Sequence, residues 1–562
     1  MPYLHTIGLE NFRLFKERTT FELAPITILT GINNSGKSSL IKSLQLFKSS
    51  IKATGGLDEL NFTGGRHNLG SFKTSLNRNA ESGEMKFKFD FPLPSIREKT
   101  FLELSYKAEK GNPEFGQLVS FRIVLESGQF LIKGELGDET ENEKLLFFDF
   151  EFLNNYFSKI FTPTFFSKRE EDEEFWKDPT KAEEFWKSLS SDSVGATSAA
   201  IREAQESSIF NYFYTPKQLN YSFNYENDKC YNIFKGFENF REEVKEHCLN
   251  ILWKLKNEGF PISISFLDIS NNAFLKEEIR SIRMNLEWYS ERSNEPKYQI
   301  SSIMNFILED FFNKEVLNKL NDFAKYFDSI SSLSSVRANS ERLYSNTSDV
   351  VDINSLLIDF SRLTFTKHDP IKEFINRSLQ RFSIGEEIVI NRYQGRATEI
   401  FIKREGQTVL LADLGFGFTQ LVPIILKIAV SAKRKQSDDL LYPFSSSLFL
   451  LEEPESNLHP SYQSKLAELI IDAAISFDIQ FIIETHSEYL IRNLQYLTAT
   501  KKLKSGDSKI YYFHQPGTED FEESPYRVID IMKDGRLSNE FGEGFFDEIP
   551  RLLAFLYNSS YN

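Results

Sequence analysis

Gly31-Ile32-Asn33-Asn34-Ser35-Gly36-Lys37-Ser38 is the stretch that decides the fold of this chain. Its spacing, G-x-x-x-x-G-K-S, is that of a phosphate-binding loop. Ahead of it, Ile26-Thr27-Ile28-Leu29-Thr30 is short, rich in β-branched residues and preceded by Pro25, which predicts a buried strand. Behind it, Ser39 to Phe47 carries apolar residues at helical spacing. Strand, glycine loop and helix thus come in the order the motif requires. The glycines let the backbone curl so that its N–H groups and the positive end of the helix face phosphate oxygens. Lys37 is placed to reach the β- and γ-phosphates and Ser38 to ligate Mg²⁺. Gly31, Asn33, Asn34, Ser35, Gly36, Lys37, Ser38 and Ser39 are the candidate nucleotide-binding residues of this half of the chain.

At 562 residues the chain is too long for one simple core, so two or more structural units are expected, one of them inserted in another. No apolar run reaches the roughly 18 residues of a membrane span, and no secretory signal is legible, so a cytoplasmic protein with no membrane partner is expected. Two cysteines and seven scattered histidines do not make a disulfide framework or a zinc cluster. A net charge of −15 disfavours nucleic-acid binding by the whole surface, because phosphate affinity comes from Lys and Arg. A local basic groove stays open, with Lys433-Arg434-Lys435 and Lys501-Lys502-Lys504 as candidates beside the plainer reading of solvated helix faces or loops.

Outward from the loop, residues 3 to 30 predict strands around Leu4 to Leu9 and Thr19 to Leu23, joined through Asn11-Phe12-Arg13-Leu14-Phe15. This opening resembles the N-terminus of the ABC-type ATPases of the SMC, RecF and OLD group. Met85 to Phe152 reads as an antiparallel meander. Leu69-Gly70-Ser71-Phe72 resembles a segment of ATPases carrying a DUF3696 C-terminus. The glutamine that ABC-type ATPases place in this half to sense the γ-phosphate is not identifiable. Residues 153 to about 330 hold all four tryptophans and an acidic aromatic doublet, Glu173 to Lys177 and Glu183 to Lys187. They read as a mainly helical insertion without coiled-coil heptads. Its aromatic residues either fill its own core or anchor a partner. Arg337, in Leu333-Ser334-Ser335-Val336-Arg337, is similar to an arginine of the DUF3696-type ATPases and is a candidate phosphate or interface contact, with an ordinary surface arginine as the rival reading.

The second half of the site is expected from three later stretches. Leu411 to Gln420 brings Gly415, Gly417 and Thr419 up to an apolar helical pattern containing Pro423. Because proline is tolerated near a helix start, the helix is predicted to begin at Thr419 or Gln420. The segment resembles the ABC signature motif, which in that class closes over the γ-phosphate held by the other protomer. Leu448-Phe449-Leu450-Leu451 predicts a strand buried on both faces, and Glu452, Glu453 and Glu455 follow at its C-terminal end, where open α/β sheets bind ligands. This resembles a Walker B strand, which implies a metal role for Glu452 and a general-base role for Glu453. Glu452 stands where most of the class has Asp, which leaves Glu452, Glu453 and Glu455 open as the base. Ile479 to Ile483 predicts another buried strand, ending in Glu484-Thr485-His486-Ser487, and His486 is placed like the switch histidine of the class.

The resemblance implies an α/β fold: an ABC-type P-loop ATPase head with an antiparallel β subdomain and a helical insertion. The expected divisions are residues 1–152 (N-terminal half), 153–330 (insertion), 331–500 (C-terminal half) and 501–562 (DUF3696-like segment, ending with Gly544-Phe545-Phe546-Asp547-Glu548). It also implies ATP and Mg²⁺ as cofactors, composite sites across a head-to-head homodimer or larger homo-oligomer, and hydrolysis as the reaction. The tail is too short for the Toprim nuclease of OLD and Gabija relatives, so no nuclease is expected in cis. Relatives of this kind resemble the ATPase subunits of the anti-phage systems Septu and PARIS. A separate effector partner, a nuclease possibly of the HNH type, is therefore expected in an antiviral role. A RecF-like ATPase clamping DNA in repair is the alternative.

Overall fold

The computed structural model describes residues 4–136 except 55, 58, 64–66, 68, 94–97 and 110, then 144–148, 262–263, 318–335, 344–345, and 353–559 except 367, 394–396, 440–446, 543 and 544. The body of the expected insertion, all four tryptophans, the acidic aromatic doublet, Arg337 and Gly544 lie outside the described residues.

The chain divides into two compact units. The first takes residues 1–90, 102–119 and 321–562, and is built on a six-stranded sheet. Its order is Ser331–Leu333, Ser447–Glu452, Ile479–Glu484, Ile26–Gly31, Ser508–Phe513, Tyr526–Asp530. The first five strands run parallel and the last antiparallel. The strand that leads into the phosphate loop therefore sits inside the sheet, paired on both edges. Every residue from Ile26 to Gly31 and from Ile479 to Glu484 is buried, which is why these segments read as continuous apolar runs and not as alternating ones. Helices Phe416–Asp439 and Pro460–Phe477 bury Leu421, Ile425, Leu466 and Ile470 in the same core as Phe449, Phe481 and Ile28.

Residues 508–530, from the segment set apart by its DUF3696-like sequence, supply two strands of this sheet. Ser508–Phe513 pairs in parallel with Ile26–Gly31 along its whole length, ending at Phe513 opposite Gly31. Gly31 has φ +124°, and a Cβ there would lie 2.4 Å from the Phe513 carbonyl oxygen and 2.8 Å from its nitrogen. Only glycine allows the two strands to approach so closely at the mouth of the loop.

Two antiparallel sheets complete the first unit. Thr6–Glu10 pairs with Thr19–Glu22 and with Glu84–Asp90, the first two lying where the N-terminal sequence predicts strands. Phe87 and Phe89 on this sheet meet Phe47 of helix Lys37–Thr54 edge to face, with ring centroids 4.9 and 5.0 Å apart. Such pairs add stability beyond the buried area. The third sheet, Glu387–Tyr393, Ala397–Arg404 and Gln407–Leu410 with Tyr344–Ser345, was not anticipated from sequence. In the second unit, strands Phe130–Leu136, Lys144–Phe148 and Ile262–Ser263 pair antiparallel, the first two continuing the expected meander.

One local expectation fails. The helix expected to start at Thr419 or Gln420 begins at Phe416 and carries Pro423 in its interior. The Gly415 carbonyl already accepts from the Phe418 and Thr419 N–H groups, so a full turn forms ahead of the position inferred from proline. Burial of Leu421, Val422, Ile424 and Ile425 offsets the hydrogen bond that Pro423 cannot donate.

Candidate nucleotide site

The loop after the Ile26–Gly31 strand has the backbone its glycines allow. Gly36 has φ +105° and Asn34 φ +62°, and Ser35 Oγ donates to the Ile32 carbonyl at 2.6 Å, closing the loop on itself. Ile32, Asn33 and Asn34 are exposed at its rim, while Gly31, Ser35, Gly36, Lys37 and Ser39 are buried and Ser38 is half-buried. The Lys37 ammonium turns back over the loop and donates to the Gly31 and Ile32 carbonyls at 3.1 and 2.6 Å. Burial holds its pKa below the usual lysine range, an effect opposed by the negative charges of Glu484 and Glu453.

The acidic side of the site comes from two neighbouring parallel strands. Glu452 and Glu484 are register partners at their C-terminal ends. One face of helix Lys37–Thr54 addresses both, since residues 38, 42 and 45 follow helical spacing. Ser38 Oγ donates to Glu484 Oε1 at 3.0 Å, and Gln45 Nε2 donates to Glu452 Oε1 at 3.4 Å. Lys42 lies in the field of both carboxylates, and its pKa is lowered first by burial and then by Arg13.

Glu453 has φ +42°, a left-handed backbone uncommon for a residue with a Cβ. Its N–H donates to the Glu484 carbonyl at 2.7 Å, and its carboxylate accepts from Ser456 Oγ at 3.1 Å, so the strained turn is held from both sides. Glu455 is buried, accepts the His486 backbone N–H at 2.6 Å, and has its other oxygen unpaired. Burial pushes its carboxyl above the usual range. His486 is pushed down, by burial first and the nearby Lys37 charge second, with Glu453 acting the other way. The imidazole is therefore neutral near pH 7. Ser487 caps the next helix through Leu490 N–H at 3.2 Å and donates to Gln463, fixing the turn that presents His486.

The sequence-predicted residues thus fall into two groups. Lys37, Ser38, Glu452, Glu453, Glu455 and His486 come together around the strand ends. Gly415, Gly417 and Thr419 form the start of their helix, with Gly415 exposed and Gly417 beside Asn457 and Leu458: a Cβ on Gly417 would lie 3.5 Å from the Asn457 carbonyl oxygen. Glu484 and Gln45 were missed. Glu484 stands in the quoted Glu-Thr-His-Ser run, but nothing local marks it, because its partner Ser38 is 446 residues away in sequence. The candidate basic run is engaged otherwise: Lys433, Arg434 and Lys435 pair with Asp369, Asp359 and Asp478 at 2.7, 2.7 and 2.9 Å.

No helix among the described residues is long and apolar enough to cross a membrane. Among those residues no three His, Cys, Asp or Glu side chains form a closed metal cage. Mg²⁺ in phosphoryl-transfer sites needs none, since it takes one or two protein ligands and completes its shell with phosphates and water. The donor set here fits that mode: a hydroxyl, Ser38, is held by a buried carboxylate whose second oxygen has no partner.

Three comparisons bear on this geometry. No curated protein matches the chain. Among solved structures, it is similar to the Smc head domain with an extended coiled coil bound to the C-terminal domain of ScpA from Pyrococcus furiosus, at 12% identity over 99% of this chain and 100% of that one, with a TM-score of 0.32. It is also similar to the Smc head domain with a coiled coil and joint from Pyrococcus yayanosii, at 12% identity over 95% and 98% of the two chains, with a TM-score of 0.34. The profile described as a protein of unknown function, DUF3696, matches residues 503–556. The profile described as an AAA ATPase domain matches residues 3–491, from the first strand to the helix after His486. The chain belongs to the AAA ATPase domain family.

Proposed function

We propose that this protein is a Mg²⁺-dependent ATP hydrolase whose sites are completed across a head-to-head dimer, and that its nucleotide state controls a separate effector. The observation that carries the first part is the meeting of Lys37 and Ser38 with Glu484, Glu453 and His486 at the ends of adjacent parallel strands. In this reading the loop N–H groups and Lys37 bind the phosphates. Lys37 exchanges the Gly31 and Ile32 carbonyls for phosphate oxygens as nucleotide enters. Ser38, with Glu452 across the helix face, would hold Mg²⁺, which when bound neutralises phosphate charge. Glu453, held by Ser456, orients the attacking water and takes its proton. Neutral His486 donates a hydrogen bond to the γ-phosphate. Glu455 ties the His486 backbone in place and so links the base loop to the switch loop.

Gly415, Gly417 and Thr419 stand at a helix N-terminus, which suits an anion. With Gly415 exposed, this end is open to the γ-phosphate of a second protomer. The DUF3696 match over residues 503–556 supports the C-terminal part of the resemblance, and on that resemblance to anti-phage ATPase subunits rests the reading of an ATP-gated sensor and scaffold for a nuclease.

The test is ATP hydrolysis and mass measurement on the purified protein. Lys37→Ala should bind no nucleotide, and the wild-type chain should double its mass with ATP and Mg²⁺ but not with ADP. Hydrolysis by Lys37→Ala at the wild-type rate would remove the site assignment. Co-expression with the neighbouring gene tests the effector arm: recovery of a nuclease in the complex supports it, and DNA-stimulated hydrolysis by the isolated protein would replace it with a repair role.

A further inference from the structure

We infer that Glu484 is a further metal-side carboxylate of this site, joining Ser38 and Glu452 in the protein's share of the Mg²⁺ shell. The inference rests on the ATPase reading above and adds to it a residue that no sequence motif marks.

The argument starts from sheet order. Ile479–Glu484 lies directly beside Ile26–Gly31, whereas Ser447–Glu452 is one strand further out. Each strand step is about 4.8 Å. Glu484, register partner of both Leu29 and Glu452, is therefore the strand-end carboxylate nearer to the phosphate loop. Its side chain uses that nearness: Oε1 accepts from Ser38 Oγ at 3.0 Å. Glu452 instead reaches along the helix to Gln45, at the longer distance of 3.4 Å.

The second observation is independent of the register. Glu484 is only 7% exposed, and its Oε2 has no hydrogen-bond partner. A buried carboxylate oxygen without a donor is costly unless something positive takes it. Two lysines lie near: the Lys37 ammonium is occupied by two loop carbonyls, and Lys42 shares its field between Glu484 and Glu452. A divalent ion beside Ser38 would satisfy the free oxygen, and the hydroxyl that Glu484 holds is the one the phosphate-loop motif offers to Mg²⁺. The backbone of Glu484 serves the same site, because its carbonyl accepts the Glu453 N–H and so fixes the turn that aims the base. One residue thereby sets both the metal side and the water side.

The experiment separates metal binding from nucleotide binding. Affinity for a fluorescent ATP analogue is measured with EDTA and with Mg²⁺ for wild type, Glu484→Gln, Glu484→Asp and Glu452→Gln, and Mn²⁺ binding to the nucleotide complex is followed by electron paramagnetic resonance. Glutamine keeps the size and the Ser38 contact but removes the charge. Glu484→Gln should bind the analogue as wild type does in EDTA, lose the gain from Mg²⁺, and weaken Mn²⁺ at least tenfold. Glu484→Asp should recover part of the Mn²⁺ affinity. Equal binding in EDTA also shows that the variant is folded. Wild-type Mn²⁺ affinity in Glu484→Gln, with the loss falling on Glu452→Gln alone, overturns the inference while leaving the ATPase reading intact. Absence of analogue binding by the wild type, or its persistence in Lys37→Ala, overturns the ATPase reading itself.

Discussion

Replacing Gly31 by alanine tests whether the C-terminal strand and the phosphate loop share one structural joint. Two costs can be worked from the structure. The backbone at φ +124° lies where a residue with a Cβ is strained, by roughly 1–3 kcal/mol. The added methyl would then stand 2.4 Å from the Phe513 carbonyl oxygen, a backbone atom with no rotamer to escape into. An ordinary contact needs about 3.5 Å, so Phe513 must retreat by roughly 1 Å. That stretches the last rungs of the ladder joining Ser508–Phe513 to Ile26–Gly31, each worth about 1 kcal/mol. The total is roughly 3–5 kcal/mol. Gly36→Ala is the matched control. Its φ is +105°, but the nearest atom to a Cβ is Phe15 Cζ at 3.2 Å, a side-chain contact that needs a shift of only a few tenths of an ångström. It should cost only the backbone strain, roughly 1–3 kcal/mol. Thermal and urea unfolding of the two variants against wild type is the assay, with ATP-analogue binding in parallel. Gly31→Ala should unfold earliest, and Gly36→Ala should lose binding while unfolding between it and wild type. A Gly31→Ala protein within about 1 kcal/mol of wild type, or one more stable than Gly36→Ala, would refute the joint.

Two further outcomes are expected. Glu453→Gln should bind ATP normally and lose about 10²–10⁴-fold in turnover; single-turnover hydrolysis reads this, and a normal rate would move the base to Glu455. His67, fully buried, is pushed down to about 4 by burial, partly opposed by the Asn61 backbone. Its pKa falls on folding, so its contribution is intact above pH 6.5 and drains away as pH drops toward 4, by about 2 kcal/mol at pH 5. The stability difference between pH 7.5 and pH 5 should shrink by that amount in His67→Leu, and an unchanged difference would contradict the assignment.

The parts of the fold legible in the sequence are those with a local physical cause. Ile26–Thr30, Leu448–Leu451 and Ile479–Ile483 are apolar at every position because both faces of a central parallel strand are covered. The phosphate loop was legible because its glycines and Lys37 sit at fixed spacing. Glu484 was not, because its meaning comes from register: it needs Ser38 on one side and Glu452 on the other, and no window of sequence holds all three. The Phe416 helix starts ahead of the position that Pro423 predicts because burial of the residues flanking the proline outweighs the hydrogen bond it cannot donate. In the sheet at 387–410, among the described residues, only alternate ones such as Ile400 and Ile402 are buried, between Glu399, Phe401 and Lys403, so it lacks the continuous apolar runs of the central strands.

The pairing of Ser508–Phe513 with Ile26–Gly31 has a consequence for how the protein is made. At about 5–20 residues per second, the ribosome reaches Phe513 roughly half a minute to a minute and a half after Gly31. Through most of that interval both edges of the loop strand are bare, because its other neighbour, Ile479–Glu484, is also made late, and the nascent chain lacks the partner that shapes the mouth of its phosphate cradle. Nucleotide competence therefore arrives late in translation. A ribosome that stalls anywhere before the final strands releases a fragment that carries the Lys37 motif yet cannot build the sheet around it, so an incomplete copy joining an assembly would do so without a finished catalytic cradle.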